Sequence, residues 1–223
     1  MLTGDSASRG IGDDPGMAFL RTSEPEHTRA TSEGACHLYV LPCAYEDLLK
    51  LGFSRQPLER MQALHPRFFE FFDLDRALLV ETETVRDARR LELELGHALA
   101  EHSAPAPLTV RLQAAGHTEW YRGAYPLLAR AVEQLAGRGH TVHAPLRPWV
   151  EAQMHARAAS LFAWGTSVLE RVEGEPDHLD RLPMLHALRQ LVVDVLDAHR
   201  ALGVDVAEHL PDALARWYAQ RSG

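Results

Sequence analysis

The 223-residue chain, with 46% hydrophobic and 24% charged side chains, has the composition of an ordinary globular protein of one or two domains. Its net charge of −8 argues against indiscriminate binding to polyanions, because cations that neutralise phosphates are the main source of non-specific nucleic-acid affinity. No run approaches the roughly 18 apolar residues of a membrane span, and the opening MLTGDSASRGIGDD lacks the basic and apolar regions of a secretory signal, so a cytoplasmic protein without a membrane partner is expected.

Residues 1–32 mix Gly, Ser, Asp, Thr and Glu with little apolar periodicity and are expected to form a flexible tail. Residues 37–41 form a short apolar run closed by Pro42, and Leu48, Leu49, Leu51 and Phe53 surround the single cation Lys50. The two runs read as a β-hairpin. Pro57 suits the first turn of a helix that carries Leu58, Met61 and Leu64 on one face. Residues 68–83 read as a third strand, bent near 73–76, which completes a small three-stranded antiparallel sheet.

Thr84 is the expected N-cap of a helix reaching about residue 102, with Val85, Ala88, Leu91, Leu95 and Leu99 at three- and four-residue intervals. Residues 103–107 break it, and 108–112 are expected as a short edge strand. Trp120 and Tyr121 then return bulky aromatics to the core, and a helix over 125–136 closes the unit. Beyond the Gly- and Pro-containing loop at 137–148 come three helical runs at 149–172, 182–202 and 206–221. The predicted organisation is an α/β unit at 33–136, its three-stranded antiparallel sheet flanked by helices, followed by an all-α C-terminal domain at 145–223. Cys36 and Cys43, the only cysteines, read as reduced thiols.

Five short motifs in order carry a family resemblance. His37-Leu38-Tyr39 and Lys50-Leu51-Gly52 form two triplets, Arg60 follows Gly52 by eight positions, Glu92 sits in ARRLELELGHALAEH, and Gly116 precedes Glu119-Trp120-Tyr121. Together they resemble the GIY-YIG nuclease superfamily, in the phage-related branch with a Lys-aliphatic-Gly second triplet and a Glu-Trp-aromatic box. The resemblance covers roughly residues 36–135. His37 departs from the family's first glycine. Leu64 departs from the tyrosine or histidine expected four residues after the arginine, and His65 lies one position late.

The resemblance implies a metal-dependent endonuclease acting on DNA, with Tyr39, Lys50, Arg60 and Glu92 as catalytic residues and Glu92 holding Mg²⁺ or Mn²⁺. Tyr39 would take or relay a water proton if a cation depressed its phenol, and Lys50 would be that cation. Arg60 offers a planar fork for phosphate. Arg55, Arg60, Arg67 and Glu119 are the expected substrate contacts, and the C-terminal helices are expected to bind substrate, a protein partner or a second copy of the chain. Glu94 is the rival to Glu92, which is preferred because Leu95 and Leu99 place it at the edge of the buried face.

Each residue also has a bland reading. Tyr39 fits a core tyrosine, Lys50 an edge-strand guard, and Glu92 with Arg89 a solvated pair. The alternative function is therefore a non-catalytic GIY-YIG-like module that binds nucleic acid or protein.

Overall fold

The computed structural model of the protein describes residues 33–111, 114 and 116–221. The tail expected at 1–32 lies outside them. The fold is mixed α/β, built on an antiparallel sheet of five strands: β1 (Glu33–Pro42), β2 (Leu48–Ser54), β3 (Leu78–Thr84), β4 (Trp120–Arg122) and β5 (Val142–His143), in the order β4-β2-β1-β3-β5. Among the described residues no helix is long and apolar enough to cross a membrane.

The hairpin forms as its alternation dictates. Tyr39 pairs with Gly52 and Leu41 with Lys50, so Tyr39, Leu41, Leu48, Lys50 and Gly52 share one sheet face while Leu38, Val40, Leu49 and Leu51 share the other. α1 (Pro57–Leu64) starts at the proline and buries Leu58, Met61 and Leu64.

The third strand is shorter than the expected 68–83. Phe68 and Phe72 are both buried at a four-residue interval, a helical rather than a strand period, and Phe68–Phe71 accordingly forms the single turn α2. Asp73 then accepts the backbone N–H groups of Asp75 and Arg76 at 3.2 Å. This Asx-type turn delays the strand to Leu78. Of the edge strand expected at 108–112, residues 108–110 form a turn instead, and residue 112 lies outside the described residues. Both edges of the sheet are instead supplied by very short strands, β4 beside β2 and β5 beside β3.

Thr84 caps α3 (Val85–Ala98) by accepting the Asp87 N–H. α3 and α4 (Tyr125–Gly137) cover the Leu38/Val40 face, where Leu91, Leu99, Leu128, Val132 and Leu135 join the core. The opposite face carries the larger core. Tyr39, Leu41, Leu48 and Leu79 belong there to one continuous apolar cluster with α1, α2 and the C-terminal helices. Those helices are α5 (Arg147–Ala158), α6 (Leu161–Arg171), α7 (His178–Arg181), α8 (His186–Ala201) and α9 (Asp212–Ala219). The run at 149–172 is thus two helices. Cys36 and Cys43 are both buried, and burial pushes the Cys43 thiol up to about 12.

Candidate active site

The sheet face that carries Tyr39 also positions Lys50. Pairing of Lys50 with both Leu41 and Trp120 puts it in the interior of the sheet, and it is 2% exposed. A buried ammonium needs partners. Its Nζ donates to the Thr118 carbonyl at 2.6 Å and to Glu119 Oε2 at 3.0 Å. Burial lowers the Lys50 pKa, and the Glu119 carboxylate opposes that shift.

Tyr39 is equally buried, and its hydroxyl crosses directly over Gly52, where an added Cβ would lie 2.5 Å from the phenolic oxygen. The glycine of the second triplet is therefore required by this close approach. Gly52→Ala is expected to destabilise the fold by ~1–3 kcal/mol, as overpacking of a filled site does, and to move the phenol; a lowered denaturant midpoint with an unchanged slope checks it.

Arg60 reaches across from α1. Its Nη1 donates to the Ala114 carbonyl in a very short hydrogen bond, and its guanidinium bonds the Tyr39 hydroxyl. Gly116 belongs to the same contact, because a Cβ there would overlap Leu64 and approach Arg60 Nη2 to 3.2 Å. The phenol pKa rises rather than falls: burial raises it and outweighs the Arg60 guanidinium. Tyr39 is thus a neutral phenol, contrary to the expectation of a depressed one.

Glu92 enters from α3. Burial, reinforced by the neighbouring Glu119 carboxylate, raises its pKa to about 7 against the opposing charges of Lys50, Arg89 and Arg60. Burial also pushes Glu119 upward, but the Thr118 hydroxyl and Lys50 outweigh it and leave a net depression. The rival Glu94 is exposed. Tyr39, Lys50, Arg60, Glu92 and Glu119 consequently form one electrostatically coupled group, and its more accessible members are Arg60, Glu92 and Glu119.

Of the other expected substrate contacts, Arg55 is exposed just beyond β2. Arg67 forks onto Glu70 at 2.6 and 2.7 Å and also bonds Asp197 at 2.8 Å and Asp194 at 3.3 Å. Its guanidinium joins α2 to α8. His65 stacks on Phe71 with ring centroids 4.4 Å apart, and its Nδ1 accepts the Arg67 N–H. His37, the first residue of the opening triplet, packs against Trp149 at 6.0 Å. The carbonyls of Ala114 and Thr118 escape sequence reasoning because any residue type can supply them; the glycine at 116 was the one local signal.

Among the described residues no group of three or more His, Cys, Asp or Glu side chains is arranged to hold a metal. The donor set does fit a hard cation held by one carboxylate, with water and a substrate phosphate completing its shell, since Glu92 is partly exposed and loses its proton near neutrality. The chain matches no family model, no curated protein and no solved structure.

Proposed function

We propose that the protein is a GIY-YIG-type endonuclease that hydrolyses DNA phosphodiester bonds with Mg²⁺ or Mn²⁺. The observation that carries this reading is the convergence of a phenol, two cations and two carboxylates in one partly accessible site, from four different elements and the segment before β4. In the hydrolysis, a water oxygen bonds to phosphorus as the bond to the leaving oxygen breaks, and the proton of the water is taken up, net, by that leaving oxygen. Arg60 presents donors to the non-bridging phosphoryl oxygens, and the Lys50 ammonium adds positive charge behind them. Tyr39, kept protonated, orients the water through its hydroxyl. Glu92 would hold the cation, which would polarise the phosphoryl group and stabilise the leaving oxyanion.

Supercoiled plasmid DNA incubated with the full chain should be nicked in Mg²⁺ and left intact in EDTA. Arg60→Lys keeps the charge but loses the fork, and is expected to lower the single-turnover rate by ~10–100-fold, while the melting temperature stays within a few degrees. Cleavage that persists in EDTA would end the metal-dependent reading.

The non-catalytic binding module is favoured by one observation. Tyr39 and Lys50 are each only 2% exposed, which leaves Arg60, Glu92 and Glu119 to meet a ligand. Retention of DNA without nicking in either cation would select that alternative.

A further inference from the structure

Two cations held near one another in a buried site repel, and each of Lys50 and Arg60 would be pushed towards solvent unless something fixed it. Here the fixing groups come from one stretch of chain between α3 and β4. Ala114 supplies a carbonyl to Arg60, while Thr118 supplies a carbonyl and Glu119 a carboxylate to Lys50. The stretch is itself anchored at Gly116, whose carbonyl accepts the Trp120 indole N–H at 2.6 Å. Glu119 also continues the sheet ladder, its carbonyl accepting the Leu51 N–H at 3.1 Å.

Glu119 adopts φ +55°, a left-handed conformation uncommon for a residue other than glycine, asparagine or aspartate and one that costs roughly 1–3 kcal/mol. A glycine would relieve that cost and keep the backbone path, but it would have no carboxylate. The Thr118 hydroxyl makes a very short hydrogen bond to the same Oε2 that accepts from Lys50, so the carboxylate has two donors fixing its orientation. Its side chain is nonetheless 39% exposed. The pair thus joins a buried ammonium to a half-exposed carboxylate, and its geometry bears on where the Lys50 ammonium sits.

We propose that Glu119 is the positioning residue of the site: through Oε2, itself oriented by Thr118, it holds the buried Lys50 ammonium in place beside Arg60 as a fixed cation. How Lys50 is held follows from this geometry alone; what the held cation does rests on the nuclease reading. Lys50 then acts as an oriented positive charge rather than as a proton acceptor, with its donors directed before substrate arrives. Glu119 acts through Lys50, which separates this role from the direct substrate contact expected of it from sequence.

The test uses the full chain and has two arms. In the first, the ¹H–¹⁵N signal of the Lys50 ammonium is recorded in the absence of DNA. A hydrogen-bonded, buried ammonium should give a resolved signal protected from exchange with water. That signal should be lost by exchange broadening in Glu119→Gln and retained in Glu119→Asp, which keeps the charge on a shorter stem. In the second arm, steady-state nicking of plasmid DNA should show kcat reduced by ~10–100-fold in Glu119→Gln with KM changed less than about 3-fold, and substantial recovery in Glu119→Asp, the pattern of a group that acts on the transition state rather than on ground-state binding. An unchanged ammonium signal in Glu119→Gln overturns the proposal. So does a KM rise at constant kcat, which would make Glu119 a direct substrate contact. Absence of nicking by the wild-type chain would overturn the nuclease reading alone, because the first arm does not depend on activity. A circular dichroism melt of each variant confirms that the signals come from folded protein.

Discussion

Replacing Glu92 with glutamine is expected to cut metal-dependent nicking by roughly 100-fold or more, the scale on which loss of one group that stabilises developing charge acts, and yet to make the metal-free protein more stable above about pH 7. The second effect follows from the raised pKa of about 7, against an ordinary 4.5. Below the ordinary value the carboxyl is protonated in both folded and unfolded chains and contributes no difference. Between the two values the folded chain binds a proton that the unfolded chain has released, so wild-type stability falls as pH rises. Above about 7 the carboxylate is ionised in both states and the whole penalty is felt. Glutamine has the shape of the protonated acid and never ionises. The full shift would correspond to ~3 kcal/mol; solvent screening of a half-buried group reduces this to ~1–2 kcal/mol. Melts of both proteins should therefore coincide near pH 4 and separate by several degrees at pH 8, a chain of this size shifting ~2–4 °C per kcal/mol. Added Mg²⁺ should raise the wild-type melting temperature at pH 8 and leave that of Glu92→Gln unchanged, since a ligand stabilises only the state that binds it. Full nicking by the variant, or equal melts at pH 8, would remove Glu92 from the site.

Much of the sheet is legible in the sequence because its central strands are patterned by burial. The alternation around Tyr39 and Lys50 fixes the hairpin, and Thr84 with the apolar interval from Ala88 to Leu91 fixes α3. What escapes is short or aromatic. The run at 68–72 is rich in phenylalanine, which suits strands and helices alike, and only the four-residue interval between Phe68 and Phe72 marks the helical turn. β5 consists of Val142 and His143 alone, too brief for any period to register. The break between α5 and α6 has no glycine or proline; it falls at Ser160, whose hydroxyl bonds the Arg157 carbonyl at 2.7 Å.

The candidate site divides in the same way. Tyr39, Lys50, Arg60 and Glu92 are recognisable by type and order, and the structure gathers them together with Glu119. Arg67 has the same local sequence credentials as Arg60, but its carboxylate partners, Asp194 and Asp197, lie about 130 residues away, beyond the reach of any local pattern. Whether an arginine reaches solvent or a distant carboxylate is decided by tertiary packing, and so is the sign of the shift at Tyr39. A nearby cation and a core position for the ring were both legible in the sequence, whereas burial of the hydroxyl along with the ring was not.

The same distant part of the chain, through its apolar face, governs the second large effect, the expected failure of a chain ending at Ala136 to fold. Read along the sequence, residues 145–223 look separable because a Gly- and Pro-containing loop precedes them. In the structure Leu146, Val150 and Met154 are fully buried in the cluster that contains Tyr39, Leu41, Phe68 and Leu79. The loop is tied to the sheet as well, since Leu146 N–H donates to the Ala77 carbonyl and Arg147 N–H to that of Leu74. Removing the helices would strip β5 from the edge of β3, and would leave Glu59 without Arg157, Asp75 without Arg147, and Arg67 without Asp194 and Asp197. The ion pairs are mostly exposed and contribute little; the uncovered apolar face decides the outcome. At about 25 cal/mol per Å², every ~200 Å² newly exposed costs ~5 kcal/mol, and the whole stability of a domain is only about 5–15 kcal/mol. The shortened chain should therefore show no cooperative melt and should scatter light as an aggregate, even though it keeps Tyr39, Lys50, Arg60, Glu92 and Glu119. A monomeric, cooperatively melting fragment with a native near-ultraviolet spectrum would show that residues 33–136 fold alone, and the apolar surface that such a fragment exposed would then have to be small.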